Sequence, residues 1–497
     1  MWFMKFLNKT IEYGLYLLVF LLPIQTRWII KAGELNGGYS EYATYSLYAT
    51  DVLLILLLLL FVVREIASLT LAMTNKGLPR HNNRAVWWFI GGLLLISVIS
   101  VFFAVNKPLA LYKLGWLILG AGLFWLVISA NYNRLKLIYF MLAGVFLQAA
   151  LGIWQFLTQS SFASKWLGLA LHNGADLGTS VIEAVGADGV LERWLRAYGG
   201  TDHPNILGGI IAIGVLLLAG EIIKFNEIPN SNAQLPMKFQ TPMPNFKTNS
   251  NAKILKIINW VFLIIFTAAL FFSFSRAAWL GLAIGLAIMA ISAAVHRNLK
   301  LQRGLAEIIL VMGIVLFILF SQCQNLITSR LGGEGRLEKK STSERLVSYQ
   351  ESWQMIKNNL AFGVGLGNYT LALNRQAPNR QSFYYQPAHN VFMLVWAETG
   401  IVGLLFFIAV IIYVLAGLPA CAGMLRLPAQ AGRRAPRNDG IILMALIVMM
   451  SFDHWYFSLH FGVLFFWLVL GLTVREKNNS GSRVKPGMTI SAVDKSA

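Results

Sequence analysis

"IINWVFLIIFTAALFFSFSRAAWLGLAIGLAIMAISAAV", residues 257–295, is an almost unbroken apolar run without proline. It could be taken for one very long helix, yet a membrane crossing needs only about 20 residues. Lys253 and Lys256 precede the run, and Arg297, Lys300 and Arg303 follow it. Basic residues collect on the cytoplasmic flanks of spans, so both ends belong on the same side. The chain must fold back near Ser273 to Arg276, and the run is two spans.

The same reading extends outward to the whole chain of 497 residues. It is 57% hydrophobic and 13% charged, with a mean hydropathy of +0.61, far from the balance of a soluble domain. A net charge of +19 would point to nucleic acid in a soluble protein, but here sorting of basic residues to inner loops accounts for it, and no nucleic-acid partner is expected. Twelve spans are predicted, at about 11–30, 46–63, 85–105, 110–130, 137–157, 205–223, 257–274, 277–295, 304–321, 390–416, 441–457 and 458–474. With the N-terminus inside, 25 of the 41 Lys and Arg fall on inner segments and 16 on outer ones. Eight of those 16 sit in one loop of more than 60 residues, where the charge rule carries little weight. Both termini are therefore expected in the cytoplasm. The first span resembles a signal sequence, but no small-residue cleavage site follows it, so it reads as retained. The expected organisation is one transmembrane domain over residues 1–474 and a polar cytoplasmic tail over 475–497. Cys323 and Cys421 fall near opposite faces of the membrane and cannot pair.

The inner loop at about 224–256 is rich in Asn and Pro with little periodicity, and reads as flexible. Two long outer loops, about 158–204 and 322–389, are rich in Trp, Tyr, Arg and Gly, and loops of this size are usually functional. In the second, "STSERLVSYQESWQMIKNNL" at 341–360 places Leu346, Tyr349, Trp353, Ile356 and Leu360 at spacings of three and four. This predicts an amphipathic helix begun by a Ser/Thr cap, lying on the membrane surface or across the span mouths. "GVGLGNY" then ends it in a turn.

An ionisable side chain at a span edge is costly and thus a candidate site. Asp51, His203, Arg276, His389, Asp453 and His454 all fall near outer span ends, with Glu398 about 12 Å deeper by helical rise. Each also has a structural explanation. Arg276 in "FSFSRAAW" could anchor a span end by snorkelling. His389 with Asn390 could cap a helix, and His203 to Asn205 could start one around Pro204. Glu398, followed by Gly400 and Gly403, could bond a neighbour in tight helix packing. Arg345 could be a solvated face. Read as chemistry, two arginines at a lipid–water boundary suit a diphosphate, because guanidinium binds phosphate oxygens bidentately. A neutral imidazole could take a proton from a hydroxyl. A diphosphate leaves readily if positive charge stabilises it. No Asp-x-Asp pair or His/Glu cluster in the outer loops suggests a divalent-ion site, so no metal and no cofactor is expected.

Three segments together resemble the O-antigen ligase and O-antigen polymerase superfamily of bacterial inner-membrane proteins. These are "FFSFSRAAWLGLAIG" at 271–285, the "SERL" to "KNNLAFGVGLGNY" stretch at 343–369, and "AHNVFMLVWAETGIVGLL" at 388–405. "GGTDHPNILGG" at 199–209 and "SFDHWYFSLHFG" at 451–462 are similar to further motifs of that family. The resemblance implies an all-α polytopic fold like that of the C-type glycosyltransferases, with a large extracytoplasmic loop before the tenth span. It also implies transfer of a glycan from undecaprenyl diphosphate at the outer side of the inner membrane. Arg276 and Arg345 would bind the donor diphosphate, and His389 would activate the acceptor hydroxyl or orient the substrate. Asn390, Glu398, His203, Asn205, Asp453 and His454 would support them.

The acceptor could be a lipid A core sugar, another glycan unit or a protein hydroxyl, which separates ligase, polymerase and protein O-oligosaccharyltransferase. A transporter or flippase of lipid-linked sugars is the rival of a different class. It predicts charge through the membrane depth and an internal repeat, and the sequence shows neither. A metal-dependent oligosaccharyltransferase would be expected to continue paired tryptophans with Asp-Tyr-Gly, whereas "VWWF" at 86–89 does not.

Overall fold

A computed structural model describes residues 2–72, 84–176, 178–185, 189–227, 249–331, 336–416 and 438–481. Most of the expected flexible loop at 224–256, Cys421 and most of the expected tail lie outside the described residues. The long helices in chain order are α1 (Trp2–Leu21), α2 (Ala49–Ala72), α3 (Arg84–Phe102), α4 (Lys107–Ser129), α5 (Arg134–Thr158), α6 (Pro204–Glu227), α7 (Asn249–Ser273), α8 (Arg276–Val295) and α9 (Leu299–Gln322). After these come α10 (Gln324–Leu331), α11 (Arg336–Asn358), α12 (Tyr369–Gln376), α13 (Val391–Ala416), α14 (Asn438–Met450), α15 (Trp455–Ser458) and α16 (His460–Gly481). Among the described residues, eight helices, α3 to α9 and α13, are long and apolar enough to cross a membrane by length and composition. Shorter apolar stretches occupy Gly440–Met450 and His460–Arg475. The protein is an all-α polytopic membrane protein.

The run at 257–295 folds as its flanking charges predict. α7 ends at Ser273, Phe274 takes a left-handed φ of 47°, and the Ser275 hydroxyl caps α8 by accepting from the Ala278 N–H. Every residue of the most apolar window of α6 is buried, against 22% for α9. A helix that is apolar all round belongs in the centre, and α6 is the pillar on which α5, α7, α8, α9 and α14 pack.

Three expectations need correction, and one loop carries added structure. The first helix is Trp2–Leu21 rather than 11–30, because Pro23 cannot continue it. Arg27–Lys31 is instead a strand, β1, paired with β4 (Tyr45–Tyr48), and a small hairpin of β2 (Glu34–Leu35) and β3 (Gly38–Tyr39) lies between them. The outer loop at 158–204 carries a third strand pair, β5 (Val181–Val185) with β6 (Leu191–Leu195). The expected span at 441–457 stops at Met450, where residues 451–454 turn into the short α15. Finally, α11 begins at Arg336, not at a Ser/Thr cap; the helix itself forms as expected, with Ile356 buried and Leu346 and Trp353 exposed.

α13 is not continuous. Gly400 has φ 73° and ψ −180°, a region open essentially to glycine alone. A Cβ there would lie 2.0 Å from the Ala361 carbonyl oxygen. The carbonyls of Ala397 and Glu398 accept from the N–H groups of Val364 and Gly365 at 2.9 and 3.0 Å, and the Ile401 N–H donates to the Leu360 carbonyl at 2.9 Å. Irregular backbone in an apolar bundle is tolerable when protein satisfies its polar groups, and the "FGVGLGNY" turn does so here.

Candidate active site

The site grows from the loop end of α6. Pro204 opens the helix, and His203 sits at the cap with its Nδ1 accepting from the Asn205 N–H at 3.1 Å. The Asn205 side chain is divided between two motifs. Its Nδ2 donates to Asp453 Oδ2 at 3.1 Å, and its Oδ1 accepts from Arg196 at 3.0 Å. Arg196 also donates to the Ser273 carbonyl at 2.6 and 2.8 Å and to the Ser180 hydroxyl at 2.6 Å. Adjacent glycines set the packing distance. A Cβ on Gly208 would come within 2.6 Å of Ser275 Cβ, and one on Gly209 within 2.7 Å of the Trp455 ring. The motifs at 199–209, 271–285 and 451–462 therefore meet around one helix end.

Asn390 fixes the opposite wall. Its Oδ1 accepts from the N–H groups of Phe392 and Met393 at 2.9 and 3.1 Å, capping α13, while its Nδ2 donates to the Ser451 carbonyl at 3.1 Å. This holds His389 edge-on to His454, with ring centroids 5.3 Å apart and planes at 82°. The Tyr349 hydroxyl of α11 donates to the His389 carbonyl at 3.4 Å. His454 shares a 2.7 Å hydrogen bond with the Ser458 hydroxyl through Nδ1, and its N–H donates to Asp453 Oδ1 at 2.9 Å. Tyr42, between β3 and β4, places its ring 5.7 Å from His454.

Burial sets the protonation of this cleft. It pushes His203 and His454 down to about 3. It also lowers His389, and the charge of Arg345 adds to that effect while Asp453 opposes it. Burial alone would raise Asp453, but the three histidines and the His454 N–H outweigh it and hold the carboxyl below its usual range. Asp202 is pushed up to about 7, first by burial and then by the charge of Glu41, against Arg27. Glu41 is chelated by Arg27, whose Nη2 donates to Oε2 at 2.8 Å while Nη1 reaches Oε1.

His203, Asn205, His389, Asn390, Asp453 and His454 are thus gathered in one constellation, with Arg345 close enough to act on His389. Arg276 is the exposed first residue of α8, directly after the turn that Arg196 and Gly208 hold. Glu398 lies apart, buried at 5% exposure, with Oε2 accepting from the Gly367 N–H at 2.7 Å and Oε1 from the Tyr369 N–H at 3.4 Å. Arg27, Glu41, Tyr42 and Arg196 are members of the cleft that the sequence reading missed. Arg196 alone carried a signal, as a basic residue three positions before "GGTDHPNILGG".

A bundle of apolar helices with titratable groups gathered at one end is the arrangement of a multi-pass membrane protein. Residues 261–408 match the family model described as O-Antigen ligase, which supports membership of the O-antigen ligase superfamily. The match supports a ligase- or polymerase-type function. The matched segment contains Arg276, Arg345, His389, Asn390 and Glu398, whereas His203, Asn205, Asp453 and His454 lie outside it. No curated protein matches the chain.

Proposed function

We propose that the protein is a metal-independent glycosyltransferase of the bacterial inner membrane, with both termini cytoplasmic and its cleft facing outward. It moves a glycan from undecaprenyl diphosphate to an acceptor hydroxyl in the manner of an O-antigen ligase. His389 takes the hydroxyl proton, the freed oxygen bonds to the anomeric carbon, and the carbon–oxygen bond to the diphosphate breaks. Undecaprenyl diphosphate leaves with that electron pair, its charge stabilised by Arg276 and Arg345. The observation that carries this reading is the gathering of His389, His454 and Asp453 at one helix mouth, with the two imidazole rings 5.3 Å apart and the His389 Nδ1 left without a partner among the described residues. A base must be neutral before the reaction, and burial chiefly keeps His389 so, with the charge of Arg345, a group that suits a phosphate oxygen, adding to the effect. The acceptor is a lipid A core sugar, with a growing glycan or a protein hydroxyl as the other members of the same chemistry.

Reconstitution in vesicles with a polyprenyl-diphosphate glycan and each acceptor class, with and without a chelator, tests this. Transfer that persists under chelation is the expected outcome. Loss on chelation would refute metal independence, and movement of the donor across the bilayer without transfer would favour a flippase.

A further inference from the structure

Next to the cleft, a small pocket runs between α4, the 366–370 turn and α13, bordered by Tyr42 and Ser458, which also wall the cleft. Lys113 of α4 lines it and is only 6% exposed. The Lys113 ammonium lies 3.5 Å from the centroid of the Trp116 ring and makes no hydrogen bond among the described residues. Gly367 holds its stem in place, since a Cβ at that glycine, with φ +68°, would lie 2.3 Å from Lys113 Cγ. Across the pocket stands Glu398, whose charge Lys113 feels. Each Glu398 oxygen accepts one backbone N–H and keeps a further lone pair. The Thr370 hydroxyl also lines the pocket, buried and without a partner among the described residues.

A buried ammonium and a buried hydroxyl left unsatisfied beside a cavity are costly unless something fills it. The free space admits about one water-sized group, which is too little for a sugar ring and enough for one hydroxyl arm. A carboxylate or phosphate would suit Lys113 but would face Glu398. A sugar hydroxyl suits both, because it accepts and donates at once.

We propose that this pocket is a specificity subsite for a glycan lying in the cleft. It receives one sugar hydroxyl, which accepts from Lys113 Nζ and donates to Glu398. The proposal rests on the preceding functional reading for the presence of a glycan, and donor and acceptor glycans are its two possible sources.

The test uses the full-length protein in detergent or vesicles, with free oligosaccharides released from the donor and from the acceptor as probes. Saturation-transfer NMR reads binding without any transfer reaction. Singly O-methylated probes should reveal one position, in one of the two glycans, where blocking weakens binding by about tenfold, as loss of a hydrogen bond to a charged group would. In Lys113→Met the parent glycan should bind about tenfold more weakly, and the methylated one no worse than the parent. In transfer assays KM for that glycan alone should rise, with kcat within about twofold. Thr370→Val, which leaves both charges in place, is the fallback if Lys113→Met does not fold, and should weaken the parent glycan by about threefold. Unchanged binding and KM in Lys113→Met, or an equal methylation penalty in both proteins, would overturn the subsite even with transfer intact. Lys113-dependent glycan binding without transfer to any acceptor would instead uphold the subsite and refute the transferase reading.

Discussion

The two ends of "AHNVFMLVWAETG", residues 388–400, stand about ten residues apart and are built on opposite plans. At Glu398 to Gly400 the helix is broken, yet the exposed carbonyls and the carboxylate are met by N–H groups of the glycine-rich turn. At His389 the backbone is capped and tethered by Asn390 and Tyr349, but the ring Nδ1 is buried with no partner among the described residues. The difference teaches where to look for chemistry. Backbone groups whose valences are filled by their own chain hold architecture together, whereas a held group with an unfilled valence, the His389 ring or a spare Glu398 lone pair, is available to substrate.

The contrast can be broken at its architectural end first. Gly400→Ala should place a methyl group against the Ala361 carbonyl and force a conformation costing on the order of 1–3 kcal/mol in backbone strain alone. A markedly lower melting temperature and poor recovery of folded protein are expected, and normal stability would mean the break in α13 is not required. At the chemical end, Arg276→Lys should fold normally and lose about tenfold in kcat/KM, because a point charge cannot replace a bidentate fork. Full activity would return Arg276 to the role of an interfacial anchor. The smallest effect sharpens the comparison. Activity should fall as pH drops through the lowered pKa of His389, since the base is neutral only above it. Arg345→Ala removes one of the influences holding that pKa down, so the acid limb of the kcat/KM profile should move up toward 6.5. An unmoved limb would separate Arg345 from His389.

The fold was legible where charge framed hydropathy. Lys253, Lys256 and Arg297 forced the fold-back at Ser273 to Arg276, and the polar residues at span ends marked His203, His389 and His454 as members of one mouth. Other features were hidden for identifiable reasons. Trp28 to Ile30 extend the apolar run of α1 beyond Pro23, so β1 read as membrane and the Arg27–Glu41 pair could not be seen. Lys113 was lost inside a strongly apolar window, although an ionisable residue within a span is itself a signal.

The most direct test of the division between the two ends is the transfer rate of reconstituted His389→Ala beside Glu398→Gln, each measured with its melting temperature. His389→Ala should lose about 10²- to 10⁴-fold in kcat at unchanged stability, and Glu398→Gln should lose stability and raise KM for the glycan, with kcat within about twofold. Normal transfer by His389→Ala would contradict the account.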